Sequence, residues 1–133
     1  MMNDERWIVG KYQNTMKENI VRNKSFKFAL QVVSMCQYLN TVKKEFILSK
    51  QLLRSGTSIG ANIREADNAE SKPDFIHKMG IAQKETDETL YWLDLLMESG
   101  IVTSEQYQPL KIECEELLRI IRSIIISAKN KSK

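Results

Sequence analysis

The chain has a single histidine, two cysteines, two prolines and five glycines among 133 residues. Each scarcity excludes something. A bundle di-iron centre draws on two Glu-x-x-His pairs plus two further glutamates, which one histidine, His77, cannot supply. Cys36 and Cys114 are far apart and each falls on an apolar helical stripe. Neither a disulfide framework nor a zinc knuckle is expected from them, and a reduced pair of core thiols fits better. No apolar run approaches the roughly 18 residues of a membrane span. The N-terminus carries Asp4 and Glu5 and has no apolar secretory core, so the expected location is the cytoplasm. Gly56, Gly60 and Gly80 do not follow a strand and do not make a phosphate loop. No residue set pairs a nucleophile with a base. We therefore expect no catalytic activity, no cofactor and no metal.

What is present is helical periodicity. The stretch from Leu52 to Ala66 carries Leu52, Gly56, Ile59, Ile63 and Ala66 on one stripe, the spacing of one helix face. Two glycines inside a helix each cost about 1 kcal/mol against alanine. Their four-residue spacing implies that a neighbouring helix approaches closely. This helix, running from about Glu45 to Ala69, reads as the central strut of a bundle.

Three more helices flank it. The first is expected from about Ser25 to Leu39 and is apolar on two sides. Phe26, Ala29, Leu30, Val33 and Gln37 mark one face; Phe28, Val32, Met35 and Leu39 form a second stripe. One broad face suffices for an isolated bundle, so the second stripe is expected to contact another copy, together with Ile81 and Trp92. The third helix opens on the capping box Ser71-Lys72-Pro73-Asp74. It continues through Phe75, Met79, Ala82, Thr86, Thr89, Leu93 and Leu96, a seam of alternating three- and four-residue steps, and should end at Gly100 in a left-handed cap. Thr103-Ser104-Glu105-Gln106 is a second capping box. Behind it Tyr107, Leu110, Cys114, Leu117, Ile121, Ile124 and Ala128 line the fourth helix. Short links between four helices imply an all-α, antiparallel up-down-up-down four-helix bundle. It is expected to span residues 25–128, with a variable arm over 1–24, carrying the apolar knot Trp7-Ile8-Val9, and a basic disordered tail over 129–133.

On the central helix Arg54, Ser58, Asn62 and Glu65 share a side, and Glu85 and Glu88 flank the seam of the next. Antiparallel packing would let Arg54 or Asn62 bond these acids in a partly buried network that fixes register. The net charge of +3 conceals an imbalance: residues 1–66 hold 11 basic and 5 acidic side chains, residues 67–133 hold 9 and 12. Such a split suits contact between copies, or a basic surface for a polyanion. For nucleic acid the candidates are Lys43, Lys44, Lys50, Arg119, Arg122, Lys129, Lys131 and Lys133. No aromatic-basic recognition motif accompanies them in the sequence.

Three stretches are distinctive: Gln51-Leu52-Leu53-Arg54-Ser55, Ser58-Ile59-Gly60-Ala61-Asn62-Ile63-Arg64-Glu65-Ala66 and Ser71-Lys72-Pro73-Asp74-Phe75, with Leu90-Tyr91-Trp92-Leu93 beyond them. Together they resemble the bacterial four-helix-bundle family named for proteins encoded in 23S ribosomal RNA intervening sequences. The resemblance runs from about Ser25 to Ala128. Gly60 stands where many relatives have proline. What the resemblance implies is a ring-like homopentamer without enzymatic activity. The chain is also similar to the accessory variability protein of diversity-generating retroelements, a basic pentamer that works with a reverse transcriptase and nucleic acid. RNA or DNA, and by analogy a reverse transcriptase or other protein, are therefore the expected partners. A protein-binding scaffold without nucleic-acid contact is the alternative.

Overall fold

A computed structural model describes residues 15–130. The Trp7-Ile8-Val9 knot and the tail residues Lys131 and Lys133 lie outside the described residues. Four helices follow in order: α1 (Met16–Thr41), α2 (Ile47–Asp67), α3 (Lys72–Glu98) and α4 (Ser104–Asn130). Each packs on its neighbours in the chain, and α4 returns to α1. The result is the antiparallel up-down-up-down bundle.

The helix starts follow from local chemistry. Ser71 Oγ accepts from the Asp74 amide at 3.2 Å. Thr103 Oγ1 accepts from the Gln106 amide at 3.2 Å while Gln106 Oε1 accepts from the Thr103 amide at 2.9 Å, a reciprocal box. Gly100 adopts φ +77° after α3, the left-handed cap that favours glycine. The start of α1 differs from the expected Ser25. Thr15 Oγ1 accepts from the Glu18 amide at 3.1 Å, so Thr15-Met16-Lys17-Glu18 is a third box, and Val21 is buried on the added turns. At the other end of the chain, α4 continues to Asn130, past the expected limit at Ala128.

The α1–α2 turn is built differently. Lys44 holds φ +55°, and the Glu45 carboxylate accepts from the amides of Ile47, Leu48 and Ser49 at 3.2, 3.0 and 2.9 Å. One side chain thus satisfies three of the amides that open α2.

The core takes the expected stripes of α2, α3 and α4 essentially whole. Leu52, Gly56, Ile59, Ile63 and Ala66 are buried, as is the full α3 seam from Phe75 to Leu96. On α4 the buried set runs from Leu110 through Cys114, Leu117 and Ile121 to Ala128. Helix α1 is the correction. Phe28, Val32 and Leu39 are at most 1% exposed and Met35 8%, whereas Phe26 and Leu30 are 50% and 56% exposed. The stripe expected to meet another copy fills the chain's own core, and the opposite face is left outside. The glycines of α2 are the physical reason. A Cβ on Gly56 would lie 2.9 Å from the Val32 methyls, and one on Gly60 would lie 3.2 Å from Ser25 Oγ. The gap they open is filled by Val32 and Ser25, which turns that side of α1 inward.

Candidate functional site

The polar side of α2 meets α3 through Arg54. Its guanidinium reaches Glu85 at 3.2 Å and also pairs with Glu88. Glu88 in turn accepts from Trp92 Nε1 at 3.0 Å, and Gln51 Oε1 accepts from Arg54 Nε at 3.4 Å. One turn deeper, Thr89 Oγ1 and Ser55 Oγ share a buried hydrogen bond of 3.0 Å. The expected link between Arg54 and the two acids is therefore present and crosses the interface.

Asn62 and Ser58 take no part in it. Asn62 Nδ2 donates to the Ser58 carbonyl at 2.9 Å, and Ser58 Oγ to the Arg54 carbonyl at 2.7 Å. Both side chains bond back to their own helix. Glu65 pairs separately with Lys78 at 2.8 Å. The expected six-residue network is thus an Arg54–Glu85–Glu88 triad extended by Trp92, with Glu65 in a second, independent bridge. Trp92 packs against the core and meets Tyr91 edge-on at 5.0 Å. Ile81 is half-buried on the same helix.

A second cluster escaped the sequence reading. Asp94 Oδ1 accepts from Tyr107 Oη at 2.5 Å and from Lys111 Nζ at 2.8 Å, and the ammonium lies 5.6 Å from the Tyr107 ring centre. Burial pushes the Asp94 carboxyl up, but the hydrogen bonds from Lys111 and Tyr107 outweigh it and hold the group below its ordinary range. Burial and the bond to Asp94 push the Tyr107 phenol up. The bonds to Asp94 and Tyr107 push the Lys111 ammonium up. Tyr107 and Lys111 stand four residues apart and face Asp94 across the α3–α4 turn, which is the signal that could have found them.

The thiols are inert. Burial pushes Cys36 up to about 11 and Cys114 up to about 12, so neither is a thiolate near neutral pH. Among the described residues no group of three or more His, Cys, Asp or Glu is arranged to hold a metal ion, and His77 is exposed.

Two surfaces remain. On α1, Phe26, Leu30 and Val33 are exposed in a row. Leu53, Thr57, Ala61 and Arg64 run along one side of α2 at helical spacing. The Arg64 guanidinium lies 5.4 Å from the Phe26 ring centre, which joins the two rows into one face. At the α1–α2 turn Lys43, Lys44 and Lys50 are all exposed. Arg119, Arg122 and Lys129 are exposed along α4, so the basic candidates fall in two places rather than on one continuous patch.

With this geometry established, comparison with known proteins is decisive on kinship. The profile of the family described as "23S rRNA-intervening sequence protein" matches residues 17–123. The chain belongs to this family. The fold is shared with a crystal structure from Bacteroides thetaiotaomicron, described as a protein with unknown function from the S23 ribosomal protein family. The two are 50% identical with a TM-score of 0.82, over 83% of this chain and 98% of that one. No curated protein matches the chain. The family match begins at Lys17, and the start of α1 at Met16 agrees with it. No helix among the described residues is long and apolar enough to cross a membrane.

Proposed function

We propose that this member of the 23S rRNA-intervening sequence protein family is a non-enzymatic, cytoplasmic homo-oligomer that associates with nucleic acid. The observation that carries the assembly is the exposed row Phe26, Leu30 and Val33 beside Leu53. Apolar side chains aligned on one face of a bundle mark a contact surface. A second copy of the same chain is the partner, since most soluble oligomers are assemblies of one chain. A pentamer is the stoichiometry the family resemblance implies, and a ring of five places this face against a different face of the next copy. The interface is thus assigned to the α1 face opposite the Phe28, Val32, Met35 and Leu39 stripe first expected to form it.

Nucleic acid is supported by the exposed lysines of the α1–α2 turn, by Arg119, Arg122 and Lys129 on α4, and by a family description that refers to 23S rRNA. Contacts to phosphates lose affinity steeply as salt rises.

Sedimentation of the full chain at micromolar concentration tests the assembly. The expected particle has the mass of five chains, and Leu30→Glu reduces it to one chain with helical content unchanged. A wild-type single-chain particle overturns the assembly. Salt-titrated binding to a structured ribosomal RNA fragment tests the second half. Absence of binding at the lowest salt leaves a protein-binding scaffold as the reading.

A further inference from the structure

We propose that the turn joining α1 to α2 binds unpaired nucleotides, with Phe46 as the stacking platform and Lys43, Lys44 and Lys50 as the phosphate contacts. This rests on the nucleic-acid reading above and narrows it to single strands. The sequence shows no aromatic-basic motif in the usual form, because Phe46 reads there as one more apolar residue opening a helix. The structure leaves it 59% exposed, between Val42 at 63% and Ile47 at 76%. A core side chain would be covered; this ring is offered to solvent among three lysines, and none of their ammonium groups pairs with an acid among the described residues.

The nearest acid does not oppose a polyanion here. The Glu45 carboxylate is engaged by the amides of Ile47, Leu48 and Ser49, so its charge is met by the positive end of α2. Glu98 and Glu105 lie at the same end of the bundle but on the last turn of α3 and the first turn of α4. The turn itself is held firmly. The Val42 amide donates to the Tyr38 carbonyl at 2.9 Å and the Glu45 amide to the Leu39 carbonyl at 2.8 Å. A turn held in this way loses little backbone freedom when a base stacks on its side chain.

The arrangement favours single strands for a simple reason. Stacking on an aromatic rewards only a base that is free to leave its neighbours, and every base has a face to offer. A duplex keeps its bases inside and would meet the lysines alone. An acidic protein segment could also use an apolar, basic surface, but it would not depend on a planar ring.

Fluorescence anisotropy with the full chain separates these cases, using a labelled unstructured oligoribonucleotide and a duplex of equal length across a salt series. The single strand is expected to bind more tightly than the duplex. Phe46→Leu should weaken it about tenfold, the order expected for one lost base stack, without changing the slope of log affinity against log salt. Phe46→Tyr should retain affinity. Lys43→Ala with Lys44→Ala should flatten that slope by about 1.4, at roughly 0.7 per phosphate contact on a single strand. Equal binding by Leu and Tyr variants assigns the surface to apolar protein contact and overturns the inference. So does a duplex bound as well as the single strand with Phe46→Leu unchanged; the broader nucleic-acid reading survives that result. If neither polymer binds at the lowest salt, both fall together. Circular dichroism on each variant verifies the fold, which an exposed residue should leave intact.

Discussion

A Cβ on Gly56 would stand 2.9 Å from both methyl carbons of Val32, closer than real side chains approach. The α1–α2 contact is therefore set by a missing methyl group. Gly56→Ala should destabilise the chain by up to about 2 kcal/mol, the overpacking of about 1–3 kcal/mol being offset by a helix-propensity gain of about 1 kcal/mol. Val32→Ala combined with it should cost less than the two changes added. Urea unfolding of the four-member cycle checks this, and strict additivity would refute the close approach.

The two phenylalanines of α1 should behave oppositely although they are two residues apart. Phe28 is fully buried, and Phe28→Ala should cost about 3–5 kcal/mol. Phe26→Ala should leave single-chain stability within about 1 kcal/mol and alter only the concentration-dependent part. Thermal unfolding over a hundredfold dilution distinguishes the two.

Arg54 should couple to Glu88 and Asn62 should not. The triad is partly exposed, so the Arg54–Glu88 coupling energy is expected at about 0.5–1 kcal/mol, falling with salt. An Asn62–Glu88 cycle should give a value near zero, because Asn62 is bonded within α2. Coupling of equal size in both cycles would mean that Asn62 reaches across the interface after all.

Lys44 sits at φ +55°, where an L-residue pays about 1–2 kcal/mol and glycine does not. Lys44→Gly should raise stability by up to about 1 kcal/mol, part of the relief being lost to a freer unfolded chain. A lowered denaturation midpoint would show that the lysine side chain contributes more to the turn than the backbone strain removes.

The Asp94–Tyr107–Lys111 cluster predicts the two limbs of the pH profile. Asp94 is held below its ordinary range when folded, so its contribution is present above about pH 4 and is lost as pH falls through the lower folded value. Tyr107 and Lys111 are raised. Their contributions are complete below about pH 10 and are lost as pH rises through the folded values. Tyr107→Phe with Lys111→Met should flatten the alkaline limb and remove most of the acid-side dependence due to Asp94. Stability measured from pH 2 to 11 with and without the two changes tests it; an unchanged alkaline limb would assign that limb elsewhere.

Much of this architecture was legible in the residues themselves, because its causes are local. A capping box joins residues three apart, so Ser71 with Asp74 and Thr103 with Gln106 announce helix starts without reference to the rest of the chain. Thr15 with Glu18 does the same and lay in plain view. The α3 seam repeats often enough that only one face could be core. Arg54 could be matched to Glu85 and Glu88 because antiparallel neighbours put those positions opposite one another. Asn62 could not be assigned in that way, since a bond to its own helix and a bond across the interface demand the same side chain at the same place.

Helix α1 is where local information ran out. Phe26, Leu30 and Val33 are as apolar and as regularly spaced as Phe28, Val32 and Leu39, so periodicity has no preference between the two faces. The choice is made by shape: Gly56 and Gly60 on α2 leave a gap that Val32 and Ser25 fill. The same docking turns Phe26 outward beside Arg64 and leaves Phe46 bare among lysines. Helix identity, order and capping were thus decided by the sequence within a few turns of each residue. Which apolar face became interior and which became surface was decided only when the helices met, because steric fit is a property of a pair.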